Sequence, residues 1–170
     1  PTPMPTTERP TPSPTHRPTR IPTPAPSQAQ TLVQVASSVT LEGVNPVVFN
    51  ADKTGRQAAF AQSIMDSTGG LFEEIIDIEA AGRRRLDDGA GVAISYTGIA
   101  RIDGTDNGEQ VSAELLEQSM DAMTLAVYDG SFLATLQASD PSFAAVTMDV
   151  EATQAAIEAA SCTFVVTTPR

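Results

Sequence analysis

One histidine and one cysteine are all the chain offers for imidazole or thiol chemistry: His16 and Cys162. His16 stands in a Pro/Thr tract that cannot fold around a substrate, so no Ser-His or Cys-His pair can form inside a packed domain. A single thiol also rules out an internal disulfide framework. The sequence has no glycine-rich phosphate loop and no Cys/His set with zinc-ligand spacing. Asp87 and Asp88 are adjacent carboxylates in a polar stretch, where such groups are ordinarily just solvated. These residues predict a protein that is not an enzyme.

One stretch does have the spacing of a cation loop. Asp103, Thr105 and Asn107 put side-chain oxygens at its first, third and fifth positions, with Gly108 sixth and Glu114 twelfth, as in an EF-hand calcium loop. Against that stand a strand rather than a helix leading in, Gln110 where an aliphatic residue is usual, and Thr105 as a weak ligand. The competing reading is a Gly/Asn turn entering a helix whose N-terminal dipole favours Glu109. Both stay open at this point, and no cofactor other than calcium is expected.

Two further groups carry recognition rather than catalysis. Arg83, Arg84 and Arg85 read as an exposed hairpin tip whose guanidinium groups meet Asp87 and Asp88 or a neighbour's carboxylates. As a basic processing site the run is poor, because Gly82 stands where a fourth basic residue is wanted. The other group is the hydroxyls of the Pro/Thr tract: Thr2, Thr6, Thr7, Thr11, Ser13, Thr15, Thr19, Thr23 and Ser27 are candidate O-glycan acceptors.

That tract, residues 1–30, holds most of the 13 prolines. Frequent proline fixes φ and removes backbone donors, leaving extended polyproline II as the conformation. Some 27 such residues reach on the order of 80 Å, against roughly 35–40 Å for a domain of this size. An arm of that length can pass its own domain and run along a neighbour. The first and last residues, Pro1-Thr2-Pro3 and Thr167-Thr168-Pro169-Arg170, are expected to continue into a longer chain, one unit of an array.

The net charge is −11, and it is unevenly shared. Arg9, Arg17 and Arg20 against Glu8 make the arm mildly basic, so the remainder carries more than the whole deficit. Such a body repels nucleic acid and anionic membranes, and an acidic body with basic arms favours self-association. No apolar run approaches the roughly 18 residues of a membrane span.

The elements are read from hydrophobic period. Val33, Val35, Val39 and Leu41 alternate as a first strand, and Gly43–Asn50 makes a turn containing Pro46. Thr54 is expected to cap a helix through Ser67 whose apolar face holds Ala58, Phe60, Ala61 and Ile64. Ile76 and Ile78 mark a second strand; Val92, Ile94 and Tyr96 a third. A helix runs from about Glu109 to Tyr128, with Ser131–Ala138 a further turn or two. Val146, Met148 and Val150 alternate as a fourth strand, closing a domain at 31–152. Residues 153–170 then give a short helix, Thr153–Ala160, and a strand with Cys162, Phe164 and Val166. That strand joins its own sheet or adds to a sheet edge of the next subunit. Cys162 within it is a small buried hydrophobe or half of an intermolecular disulfide.

The order predicts an α+β fold, a ferredoxin-like βαββαβ sandwich preceded by a polyproline II arm and followed by an extra C-terminal strand. Its free sheet face must be polar, glycan-covered or packed on a partner. Val39-Thr40-Leu41-Glu42-Gly43-Val44 followed by Phe49, then Arg83-Arg84-Arg85-Leu86 before Gly91-Val92-Ala93-Ile94-Ser95-Tyr96, with flanking Pro/Thr tracts, resembles the SEA-like, ferredoxin-fold modules of large surface and matrix glycoproteins of microalgae and other protists. The likeness covers most of 31–151. The Gly-Ser of self-cleaving SEA domains is missing between strands two and three, so autoproteolysis is not implied.

What the resemblance implies is an extracellular or cell-surface setting, covalent glycans, and use as a subunit of a fibril or flagellar hair. The expected partners are then other copies of the chain and glycans, with neither nucleic acid nor membrane insertion. The alternative is a monomeric adhesion module on a mucin-like stalk, binding calcium or a glycan.

Overall fold

A computed structural model of the chain describes residues 30–82, 91–103 and 107–167. Among them are one antiparallel sheet of five strands, five α-helices and a short 3-10 turn. The chain is α+β and its sheet is open.

Two long strands make the spine. β1 (Gln30–Glu42) pairs along its whole length with β3 (Gly91–Asp103), Gln30 opposite Asp103 and Glu42 opposite Gly91. β2 (Glu74–Gly82) lies on the far side of β3 and forms one border of the sheet. The other side of β1 is shared. Its first half pairs with β5 (Ser161–Thr167), and Leu41 and Glu42 pair with β4 (Thr147–Met148).

Strand period explains the sidedness. Val33, Val35, Val39 and Leu41 of β1 are buried, as are Val92, Ile94 and Tyr96 of β3 and Ile75 and Ala80 of β2. Onto this inner face pack α2 (Arg56–Ser67), α3 (Gly108–Tyr128) and α4 (Ser131–Ser139) through Phe60, Ile64, Met123, Val127, Phe132 and Leu136. Phe60 sits at the centre, its ring edge-on to those of Phe49, Tyr96 and Phe132 at 5.9–6.0 Å. Such pairs contribute about 0.5–1.5 kcal/mol each beyond the area they bury. The outer face carries Gln34, Ala36, Ser38, Ser95, Thr97 and Glu79 in register, together with the buried Thr40 and Ile99. Gly98 is required by packing: a Cβ there would stand 2.7 Å from the Phe72 ring.

Several sequence expectations change. The turn at Gly43–Asn50 contains a helix, α1 (Pro46–Ala51), because Asn45 Oδ1 accepts from the N–H groups of Val47 and Val48 and Pro46 occupies the first turn, where its missing donor costs nothing. Thr54 does not cap α2; Gly55 holds that position, and its N–H donates to Asp52 Oδ1 at 2.9 Å. Ala58 is exposed. The fourth strand shrinks to two residues. Asp149 Oδ1 accepts from Ala152 N–H at 2.9 Å and starts α5 (Val150–Glu158), so Val150 is helical.

α5 explains why one sheet border is built from two strands. It lies along β1 between them, and Thr153 takes a strand's place. Thr40 N–H donates to Thr153 Oγ1 at 3.0 Å, and Asp149 N–H donates to the Thr40 carbonyl at 3.1 Å. No described helix is long and apolar enough to cross a membrane.

Candidate functional site

Edge strands present unpaired backbone groups, so each border of an open sheet needs cover or serves as a joint. β2 is covered. The Asn50 side chain pairs with Ala80 as a neighbouring strand would: its Nδ2 donates to the Ala80 carbonyl at 2.9 Å, and Ala80 N–H donates to its Oδ1 at 2.8 Å. A register shift between Ile76 and Glu79, with Asp77 at φ 52°, breaks the ladder further along. Glu74, Asp77 and Glu79 line the strand with exposed carboxylates.

Among the described residues β5 has none of these devices. Ser161–Thr167 contains no charge, proline or glycine, and pairs with β1 on one side from Ala36↔Ser161 to Gln30↔Thr167. Phe164 is 42% exposed and Val165 54%. Their positions alternate across the strand, so each sheet face gains one exposed apolar residue at this border. Phe164 leans toward the start of α3, beside Gly108 and Thr31. Cys162 is half-buried beside Ser112, its Sγ donating to the Ser112 carbonyl at 3.5 Å; burial pushes its pKa above the usual 9.0. At neutral pH it is a protonated thiol packed against the core.

The remaining residues singled out from sequence are scattered. Arg83, Arg84, Arg85 and the acceptors Thr2, Thr6, Thr7, Thr11, Ser13, Thr15, Thr19, Thr23 and Ser27 lie outside the described residues, as does Thr105. Asp103 ends β3. Asn107 precedes α3 without a side-chain capping bond, and Glu114 is exposed on that helix, accepting from Gln110 Nε2 at 3.1 Å. Among the described residues no three His, Cys, Asp or Glu side chains stand close enough to share a metal ion. Val166 pairs with Thr31 in the β5 ladder.

Two hollows lie near the break between β4 and β5. A shallow groove on the outer side is lined by Ala36, Ser38, Ser95 and the small face of α5, including Ala152 and Ala156. On the inner side a cavity of about 10 Å³ touches Ser37, Tyr96 and Ile157. Burial pushes the Tyr96 hydroxyl up to about 12, and the neighbouring Ser37 hydroxyl offsets part of that effect. Ser37 Oγ is enclosed there without a fully formed hydrogen bond among the described residues. Neither hollow gathers convergent charged or nucleophilic groups.

Sequence reasoning found Phe164 and Cys162 but not Asn50 or Thr153, the side chains that decide which backbone groups stay open. Comparison with family models, with curated proteins and with solved structures finds no match.

Proposed function

We propose that this chain is a non-enzymatic structural subunit of a glycosylated extracellular filament or matrix. Copies join through the terminal strand, and the Pro/Thr arm runs between neighbours. The observation that carries this reading is the uncharged border at β5, with Phe164 and Val165 exposed along an edge that no described strand pairs, on a chain that protects its opposite border three ways. The cost of leaving such a border open is non-specific association, and natural sheets avoid it unless it serves as a joint.

The ferredoxin-like, SEA-like arrangement belongs to the same proposal. The sheet order β2-β3-β1-β4 supports it, each pair antiparallel with helices in both crossovers. The charge division supports assembly as well. Lys53, Arg56 and Arg101 are the only cationic residues of the described body, while the arm carries Arg9, Arg17 and Arg20. Basic arms on acidic bodies attract at short range and lose that attraction in salt.

Negative-stain electron microscopy of native material, before and after chemical deglycosylation, tests the reading. Regular filaments that fray or thin on sugar removal are expected. Dispersed single particles in native material would contradict it.

A further inference from the structure

We propose that β5 pairs antiparallel with β5 of a second copy, joining two five-stranded sheets into one; this rests on the assembly reading above and names its joint. The first reason is elimination between edges. A partner strand needs a run of free backbone N–H and C=O groups at regular spacing. β2 cannot supply one, because Asn50 occupies Ala80 and the Asp77 irregularity breaks the spacing. β4 is two residues long. Among the described strands β5 is the long border left, so the edge that accepts it on another copy is the same edge.

The second reason is charge. Two copies of a chain carrying −11 repel, and close approach costs least where neither surface bears a carboxylate. Ser161–Thr167 is such a stretch, whereas β2 would set Glu74, Asp77 and Glu79 against their own kind. The third is apolar cover. Phe164 and Val165 stand on opposite faces of the strand, and pairing about a two-fold axis covers both at once on both copies.

An isologous joint of this kind closes on itself and yields a dimer. Dimers become a filament only through a second, different contact, which leaves that role to the arm.

The test uses the full chain in sedimentation velocity over a concentration series. The unmodified protein is expected to dimerise. Val165→Lys, on the exposed outer side, is expected to weaken dimerisation by about tenfold or more, since each dimer then faces two lysines across the joint. Thr163→Lys serves as the second variant, and circular dichroism checks that both fold. Ala81→Lys places the same charge on β2 and is expected to dimerise like the parent. Dimerisation unchanged by both β5 variants, or lost in Ala81→Lys, overturns the proposed joint. If native filaments form but the two β5 variants polymerise normally, the joint is wrong and the assembly reading survives. If neither filaments nor dimers form at any concentration, both fail.

Discussion

The two borders of one sheet solve the same problem in opposite ways. On β2 a single side chain, Asn50, mimics a strand, an irregularity at Asp77 interrupts the ladder, and carboxylates repel. On β5 no described strand pairs with the outer edge, and the exposed side chains are uncharged, Phe164 and Val165 beside Ser161 and Thr163. β2 buries Ile75 and Ala80 in the core, and β5 sets the half-buried Cys162 against it. Polar contacts guard β2 and are missing from the described edge of β5, and the proposed joint is read from that difference.

Removing the cover on β2 should have the largest effect. Asn50→Ala deprives the Ala80 N–H and C=O of both partners, and Ala80 is 5% exposed. The expected loss is on the order of 3 kcal/mol, read from urea unfolding, together with concentration-dependent aggregation through the newly opened β2. If Asn50→Ala stays as soluble as the parent, the protective role assigned to that side chain is wrong.

Next comes the interior beneath the break in the β1 border. Tyr96, opposite Ser37 in the ladder, has a folded pKa of about 12 against 10.0 for the free group. A hydroxyl with a raised folded pKa contributes stability fully present below pH 10 and lost as pH rises through 12. That separation corresponds to roughly 2–3 kcal/mol. Thermal melts between pH 9 and about 12 should show the fall, and Tyr96→Phe should flatten it. An identical fall in Tyr96→Phe would place the alkaline sensitivity elsewhere.

A smaller loss is expected at the wedge. Thr153→Val keeps the shape but leaves the buried Thr40 N–H without its acceptor, for about 2 kcal/mol by chemical denaturation. The Asp149 N–H still holds the Thr40 carbonyl, so the end of β1 should stay paired. Smallest of all is Val165→Lys, within about 0.5 kcal/mol of the parent for the monomer. That contrast would sharpen the comparison, with the β2 side chain mattering to the fold and the β5 side chain, on the proposed reading, to partners.

What the sequence revealed follows from range. Val33, Val35, Val39 and Leu41 announce β1 because one face of a half-buried strand repeats every second residue, and the long helix over Gly108–Tyr128 is as clear by its own period. Asn45-Pro46 is a start signal for α1, because proline fits the first turn of a helix as readily as it ends one. Val146, Met148 and Val150 alternate well enough for a strand, but the Asp149 cap competes within the same few residues and prevails, leaving β4 at Thr147–Met148. The proposed joint is partly legible, since the apolar run of β5 stands out. Its meaning is not, because Asn50 reaches Ala80 across 30 positions and Thr153 reaches Thr40 across 113. No local pattern encodes such pairings.

The central claim is that copies meet at β5 and not at β2. Amide hydrogen exchange of the full chain at dilute and at concentrated conditions reads it strand by strand. The account predicts added protection in Ser161–Thr167 on concentration with Glu74–Gly82 unchanged. Protection gained at β2, or no gain at β5 while particles grow, would contradict it.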